Sequence, residues 1–172
     1  MRIAIISDTH DHVANLRAAV AYCNAYNVHL LIHCGDLISP FMLDELARFS
    51  GAIHLIYGNN VGDQHLISSR CGTKFPAITH HGVLGAVEAG GLKIGFHHYP
   101  EVARGFAQMG TCDVVCCGHN HHYRVEEIGS TLLINPGQML GDERQPTFAI
   151  IESSSRTVEK VEVGEPMNLS DL

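Results

Sequence analysis

Three short apolar runs stand within the first 60 residues, and each gives way to polar residues or glycine. They are residues 2–7 (RIAIIS), 29–34 (HLLIHC) and 52–57 (AIHLIY). Runs of this length and composition read as β-strands buried on both faces, as in a parallel sheet. Between the first two, Val13, Leu16, Val20 and Cys23 recur at helical spacing over residues 12–26. Between the second and third, Pro40 opens a predicted helix through about Phe49, at a position where proline is tolerated. Strand and helix in alternation predict parallel strands joined by right-handed crossovers.

The second half of the chain has another character. Short β runs follow closely at 75–80, 83–89, 92–97, 113–117, 122–128, 131–135, 147–152 and 157–163, with one helix near 100–109. Gly90-Gly91 and Gly129-Ser130 mark the turns of hairpins. The expected fold is α/β, with two mixed sheets packed face to face and helices outside. The 172 residues suit one domain with one substantial core. Residues 164–172 are expected to form a loosely held tail.

Histidine is the residue in surplus. There are thirteen, where average usage at this length gives about four. Several stand at predicted strand ends beside carboxylates. Asp8 and His10 follow the first strand, Asp36 the second and Asn59 the third. His97 ends a strand of the second half, and His119 and His121 follow the run VVCC through Gly118. Carboxyl ends of parallel strands are where open α/β sheets place ligands. Residues two apart in an extended segment point the same way, which suits Asp8 with His10 and His119 with His121. Asp36 offers two carboxylate oxygens, one for each of two ions, and Asn59 offers a neutral amide oxygen.

Asp8-x-His10, Gly35-Asp36, Gly58-Asn59, His97 and Gly118-His119-x-His121, in that order, resemble the calcineurin-like metallophosphoesterase superfamily. Within it the chain is similar to the small single-domain branch of YfcE-type and archaeal phosphodiesterases, from residue 1 to about 153, including Asn135-Pro136-Gly137. The resemblance implies a four-layer αββα sandwich. It implies that Asp8, His10, Asp36 and His121 hold one metal, and that Asp36, Asn59, His97 and His119 hold a second. Two divalent transition-metal ions are expected, Mn or Ni favoured in vitro with Fe or Zn as alternatives. Such a pair shares a hydroxide that attacks phosphorus in line with the leaving oxygen.

One position departs from the pattern. Many members carry histidine directly after the asparagine, where it helps the leaving group depart, and here that residue is Asn60. An amide hydrogen-bonds a phosphoryl oxygen but is no general acid near neutral pH. His98 is the alternative proton donor or substrate contact, or else a supporting histidine. His12 and His122 are weaker candidates. His33 either orients the site or is a hydrogen-bonded core residue, and His29, His54, His65, His80 and His81 read as structural or solvated. Substrate selection is expected in the loops 60–72, 98–105 and 138–146.

A formal charge of −7 without any Lys/Arg cluster argues against extended nucleic acid as partner. The expected partner is a small phosphodiester, and apolar residues of the hairpins could support a homodimer. No apolar run reaches the ~20 residues of a membrane span, and residues 2–6 are too few for a signal peptide, so cytoplasmic is the expected location. The six cysteines form no CxxC pair and read as buried reduced thiols. Two other readings carry the same fold or chemistry: an interaction scaffold of the retromer-subunit type, and a nuclease acting on short or cyclic nucleotides. The scaffold type tends to lose ligands, and this chain keeps all seven.

Overall fold

The computed structural model describes residues 1–142 and 144–164. The expected loose tail therefore lies almost wholly outside the described residues. In chain order the elements are β1 (Arg2–Ile6), α1 (Val13–Ala25), β2 (Leu30–His33), α2 (Met42–Leu46), β3 (Ala52–Leu55), α3 (Gln64–Arg70), β4 (Ile78–His80) and β5 (Leu84–Ala89). There follow β6 (Leu92–His97), α4 (Pro100–Gln108), β7 (Val114–Cys116), β8 (Tyr123–Ile128), β9 (Thr131–Pro136), β10 (Thr147–Glu152) and β11 (Thr157–Glu162).

These strands form two mixed sheets. One has the order β11-β10-β1-β2-β3-β4, the other β5-β6-β7-β9-β8. In the first, β1 to β4 run parallel, with β10 and β11 added antiparallel. In the second, β6, β7 and β9 are parallel between antiparallel edges β5 and β8.

The apolar runs are continuous because both faces are covered. Ile3, Ile5, Leu30 and Ile32 face Ile94, Phe96, Val114 and Cys116 between the sheets. Their neighbours Ala4, Ile6 and Leu31 point the other way, against Leu16, Val20 and Cys23 of α1 and Met42, Leu43 and Leu46 of α2. On the far side, Val115, Cys117 and Leu133 pack on Ala103 and Ala107 of α4. The result is helix, sheet, sheet, helix.

Three elements differ from expectation. The helix expected from Pro40 to Phe49 is regular only over Met42–Leu46. It opens with three-residue bonds, Met42 N–H to the Ser39 carbonyl and Leu43 N–H to the Pro40 carbonyl, and closes with Phe49 N–H to Leu46. The strand expected over 75–80 begins at Ile78, because Pro76 has no N–H for the ladder. Helix α3 lies within the expected loop 60–72, capped by the Asp63 carboxylate accepting from Leu66 N–H. Ile67 is its one buried residue, too little for an apolar stripe to register in sequence. No helix among the described residues is long and apolar enough to cross a membrane.

Candidate metal centre

The carboxyl ends of β1, β2 and β3 meet those of β6 and β7 along one edge of the sandwich. Each chain crossing there turns sharply. Asp8, His10, Asp36, His119 and His121 all have positive φ, between 43° and 73°. Side chains other than glycine rarely adopt that conformation, and each instance costs about 1 kcal/mol or more. Only nine non-glycine residues among those described do so, and more than half of them are candidate ligands. The turns persist because the surrounding packing leaves no alternative. A Cβ on Gly118 would collide with Ser7 Oγ, and one on Gly58 with Asp36 Oδ1. Both glycines are needed where two strand ends approach.

Asp8 and Asp36 lie at the centre, both buried. His10 Nε2 is 3.8 Å from Asp8 Oδ1 and 3.5 Å from Asp36 Oδ2. His121 Nε2 is 3.5 Å from Asp8 Oδ1. On the other side, His98 Nε2 is 3.6 Å from Asp36 Oδ1 and 3.9 Å from Asp8 Oδ1. Asn59 Oδ1 lies 2.8 Å from His98 Nε2 and 2.7 Å from His119 Nδ1. The His119 N–H donates to Asp8 Oδ2 at 3.0 Å. Two overlapping groups therefore suit a metal ion: Asp8, His10 and His121, and Asp8, Asp36 and His98.

His97 is the residue that the structure sets apart from the expected seven. Strand alternation gives the reason. Phe96 faces the core between the sheets, so His97 faces away from it and His98 returns to the Phe96 side. The ring of His97 instead accepts the Tyr99 N–H at Nδ1, 3.1 Å away. Burial pushes the His97 pKa below its ordinary value, which keeps that nitrogen an acceptor. His98 is 1% exposed and is the one of the pair whose ring lies beside Asp8 and Asp36.

The donors fit cations. Asp8 Oδ1 and His10 Nε2 are buried without a hydrogen-bond partner, a costly arrangement unless something positive lies between them. The ring–carboxylate separations are too long for hydrogen bonds and suit atoms that share one ion. His98 makes the same point. The Cys34 carbonyl can only accept, so Nδ1–H donates to it at 2.8 Å. Nε2 of the neutral ring is then a lone pair facing another acceptor, Asn59 Oδ1. A cation beside both resolves the conflict. Burial opposes ionisation of Asp8, but His10, His121 and His98 outweigh it and hold the carboxyl well below the usual carboxylate range.

Asn60 is exposed, and both its backbone and its side chain turn onto Asp36. Its backbone N–H donates to Asp36 Oδ1 at 2.8 Å and its side-chain amide to Asp36 Oδ2 at 2.7 Å. Beneath the site runs a buried chain of bonds that sequence reading did not resolve. Gly35 N–H donates to His33 Nδ1, His33 Nε2 meets Thr9 Oγ1 at 3.2 Å, and Thr9 donates to the Asp36 carbonyl. Burial pushes the His33 pKa down to about 4, consistent with a neutral ring passing one proton's worth of hydrogen bonding along the chain. Asn135 donates to the Gly118 carbonyl and to Asn120 Oδ1, bracing the turn that carries His119 and His121. His12 caps α1, accepting from Asn15 N–H. His54 and His81 bond each other, and His80 packs on Tyr57. All six cysteines are free thiols, four of them buried.

Imidazoles gathered around two buried carboxylates at the edge of an αββα sandwich are the setting of a phosphoesterase site. The model of the calcineurin-like phosphoesterase superfamily domain matches residues 1–156, and the chain is a member of that superfamily. It is 34% identical over 169 residues to a phosphodiesterase of Methanocaldococcus jannaschii, a match covering 94% of this chain and 98% of the relative. A solved archaeal phosphodiesterase superposes with a TM-score of 0.88 at 32% identity, covering 94% and 99% of the two chains. Zinc-complexed Vps29 of Entamoeba histolytica, 18% identical with a TM-score of 0.64 over 95% and 100%, shares the fold.

Proposed function

We propose that this protein is a binuclear-metal phosphodiesterase in which Asp36 bridges two divalent cations. One observation carries the reading. The two oxygens of Asp36 face different histidines, Oδ2 toward His10 and Oδ1 toward His98. A carboxylate with one oxygen for each of two donor groups is the arrangement a metal pair requires. Asp8, His10, Asp36 and His121 would hold the first ion, and Asp36, Asn59, His98 and His119 the second. Mixed oxygen and imidazole donors suit Mn, Fe, Ni or Zn better than Ca or Mg. When bound, such ions acidify a water and neutralise the phosphoryl oxygens.

The chain's own residues do the rest. His33 and Thr9 brace the backbone of Asp36, and Asn60 fixes its carboxylate plane. Asn135 braces the turn beneath His119 and His121. With Asn60 engaged on Asp36, and with His98 bonded to the Cys34 carbonyl and turned toward Asn59, neither is free to protonate a leaving oxygen. Leaving-group basicity should therefore govern kcat, with aryl esters turning over at least ~100-fold faster than alkyl esters. Equal kcat values for matched aryl and alkyl diesters would contradict this.

The test of the activity is hydrolysis of bis(p-nitrophenyl) phosphate with added manganese, in the parent and in Asp36→Asn. Metal-dependent turnover in the parent, lost in the variant, supports the reading. A parent that binds the metal and turns over nothing would move the protein to the scaffold type, although likeness to Vps29 at 18% identity speaks for the fold alone.

A further inference from the structure

Tyr99 stands at the rim of the metal centre. Its ring centroid is 4.7 Å from that of His119 and 5.5 Å from that of His98, at interplanar angles of 64° and 72°. No other Phe or Tyr ring among the described residues contacts the clustered histidines. The remaining tyrosines are occupied elsewhere: Tyr22 stacks on Tyr26, Tyr57 packs on His80, and Tyr123 lies against the core between the sheets. Tyr99 is 38% exposed, and steep edge-to-face contacts leave ring area uncovered.

The ring is also held still. Pro100 opens α4 and keeps the preceding residue extended, and Tyr99 has φ −79° and ψ 125°. Its N–H is tied to His97 Nδ1. Proline and His97 together fix the backbone from which the ring projects. An exposed aromatic with a fixed base loses little freedom when another ring stacks on it.

We propose that Tyr99 is a substrate-selecting residue that stacks on a planar aromatic group carried by the phosphodiester. The proposal rests on the phosphodiesterase reading above and names the substrate class for that site. A phosphoryl group held near Asn59, His98 and His119 would bring one of its substituents within reach of Tyr99, since Tyr99 touches two of those three residues. The aromatic group is either a simple aryl or a nucleobase. Stacking favours any flat π-face and reads no sequence.

Leaving-group chemistry and stacking both favour aryl esters, but they act on different quantities. The first changes kcat, the second changes binding. Phosphonates separate them, because their carbon–phosphorus bond is not hydrolysed. The experiment is calorimetric titration of the manganese-loaded protein with phenylphosphonate against methylphosphonate, and with adenosine 5′-monophosphate against ribose 5-phosphate. Parent, Tyr99→Phe and Tyr99→Leu are compared.

The parent should bind the aromatic member of at least one pair about tenfold tighter, within the range of one stacked ring. Tyr99→Phe keeps the ratio, and Tyr99→Leu, which keeps apolar bulk beside the imidazoles, brings it close to one. The pair that responds identifies the aromatic group as aryl or nucleobase. Binding of methylphosphonate to Tyr99→Leu reports that the variant is folded and loaded. Ratios near one in both pairs for the parent, or a ratio kept by Tyr99→Leu, overturn the proposal while leaving the phosphodiesterase reading intact. A parent that loads manganese, binds neither phosphonate and hydrolyses no diester overturns both.

Discussion

Asn60 binds both oxygens of Asp36, and those two bonds decide what its side chain can do. On the proposed reading, an amide spent on Asp36 would orient that carboxylate for two ions. Groups of this kind commonly contribute 10–100-fold to metal affinity. Asn60→Ala should therefore weaken manganese binding by about that factor, measured by calorimetry, with little change in urea stability. His98→Ala should lose one of two metal equivalents, whereas His97→Ala should retain both, as counted by elemental analysis of the dialysed proteins. The adjacent pair shows where sequence reading stops. Strand-end position and spacing picked out Asp8, His10, Asp36, Asn59, His119 and His121, because each follows a run whose end is marked by polar residues. Between His97 and His98 no such mark exists. The expected run 92–97 has the bounds of β6, but bounds alone do not say which of two neighbouring side chains faces the other sheet.

At the scale of elements, the site depends on turns that bring strand ends closer than side chains normally allow. Gly118→Ala places a methyl against Ser7 Oγ and Asp8 Oδ2. Overpacking of this kind costs about 1–3 kcal/mol and displaces the turn carrying His119 and His121. Urea unfolding should show the loss, and manganese binding should fall with it. Wild-type metal affinity in Gly118→Ala would mean that the close approach is not required. The same elements show what was legible. Strands β1, β2, β7, β9 and β10 stood out because their apolar runs are covered on both faces. Helix α3 did not, because it buries Ile67 alone and is carried by its Asp63 cap.

At the scale of the molecule, the two sheets contribute donors to one centre. The six-stranded sheet supplies Asp8, His10, Asp36 and Asn59 from its strand ends, and the five-stranded sheet supplies His98, His119 and His121. Ions bound there tie the sheets together, so metal should stabilise the whole fold. Free manganese at 100 times its Kd should add about 2.7 kcal/mol to unfolding, and a chelator should remove it. The metal-free protein should also respond to acid. Burial pushes the His80 pKa from 6.5 down to about 4, with His81 adding to the effect. Between those values the unfolded chain takes up the proton and the folded chain does not, so stability is lost as pH falls from 6.5 to 4. The sign is opposite for His121, whose pKa the neighbouring Asp8 carboxylate raises. His80→Asn isolates the first effect. Its urea midpoint should fall less than that of the parent over this window, and parallel profiles would contradict it.

The central claim is that Asp36 joins two ions, one held with His10 and His121, the other with Asn59, His98 and His119. Anomalous diffraction from a manganese-loaded crystal tests it directly. The expected map holds two peaks about 3.5–4 Å apart, with one Asp36 oxygen on each and with His98 rather than His97 on the second. A single peak, or a second ion beside His97, would contradict it.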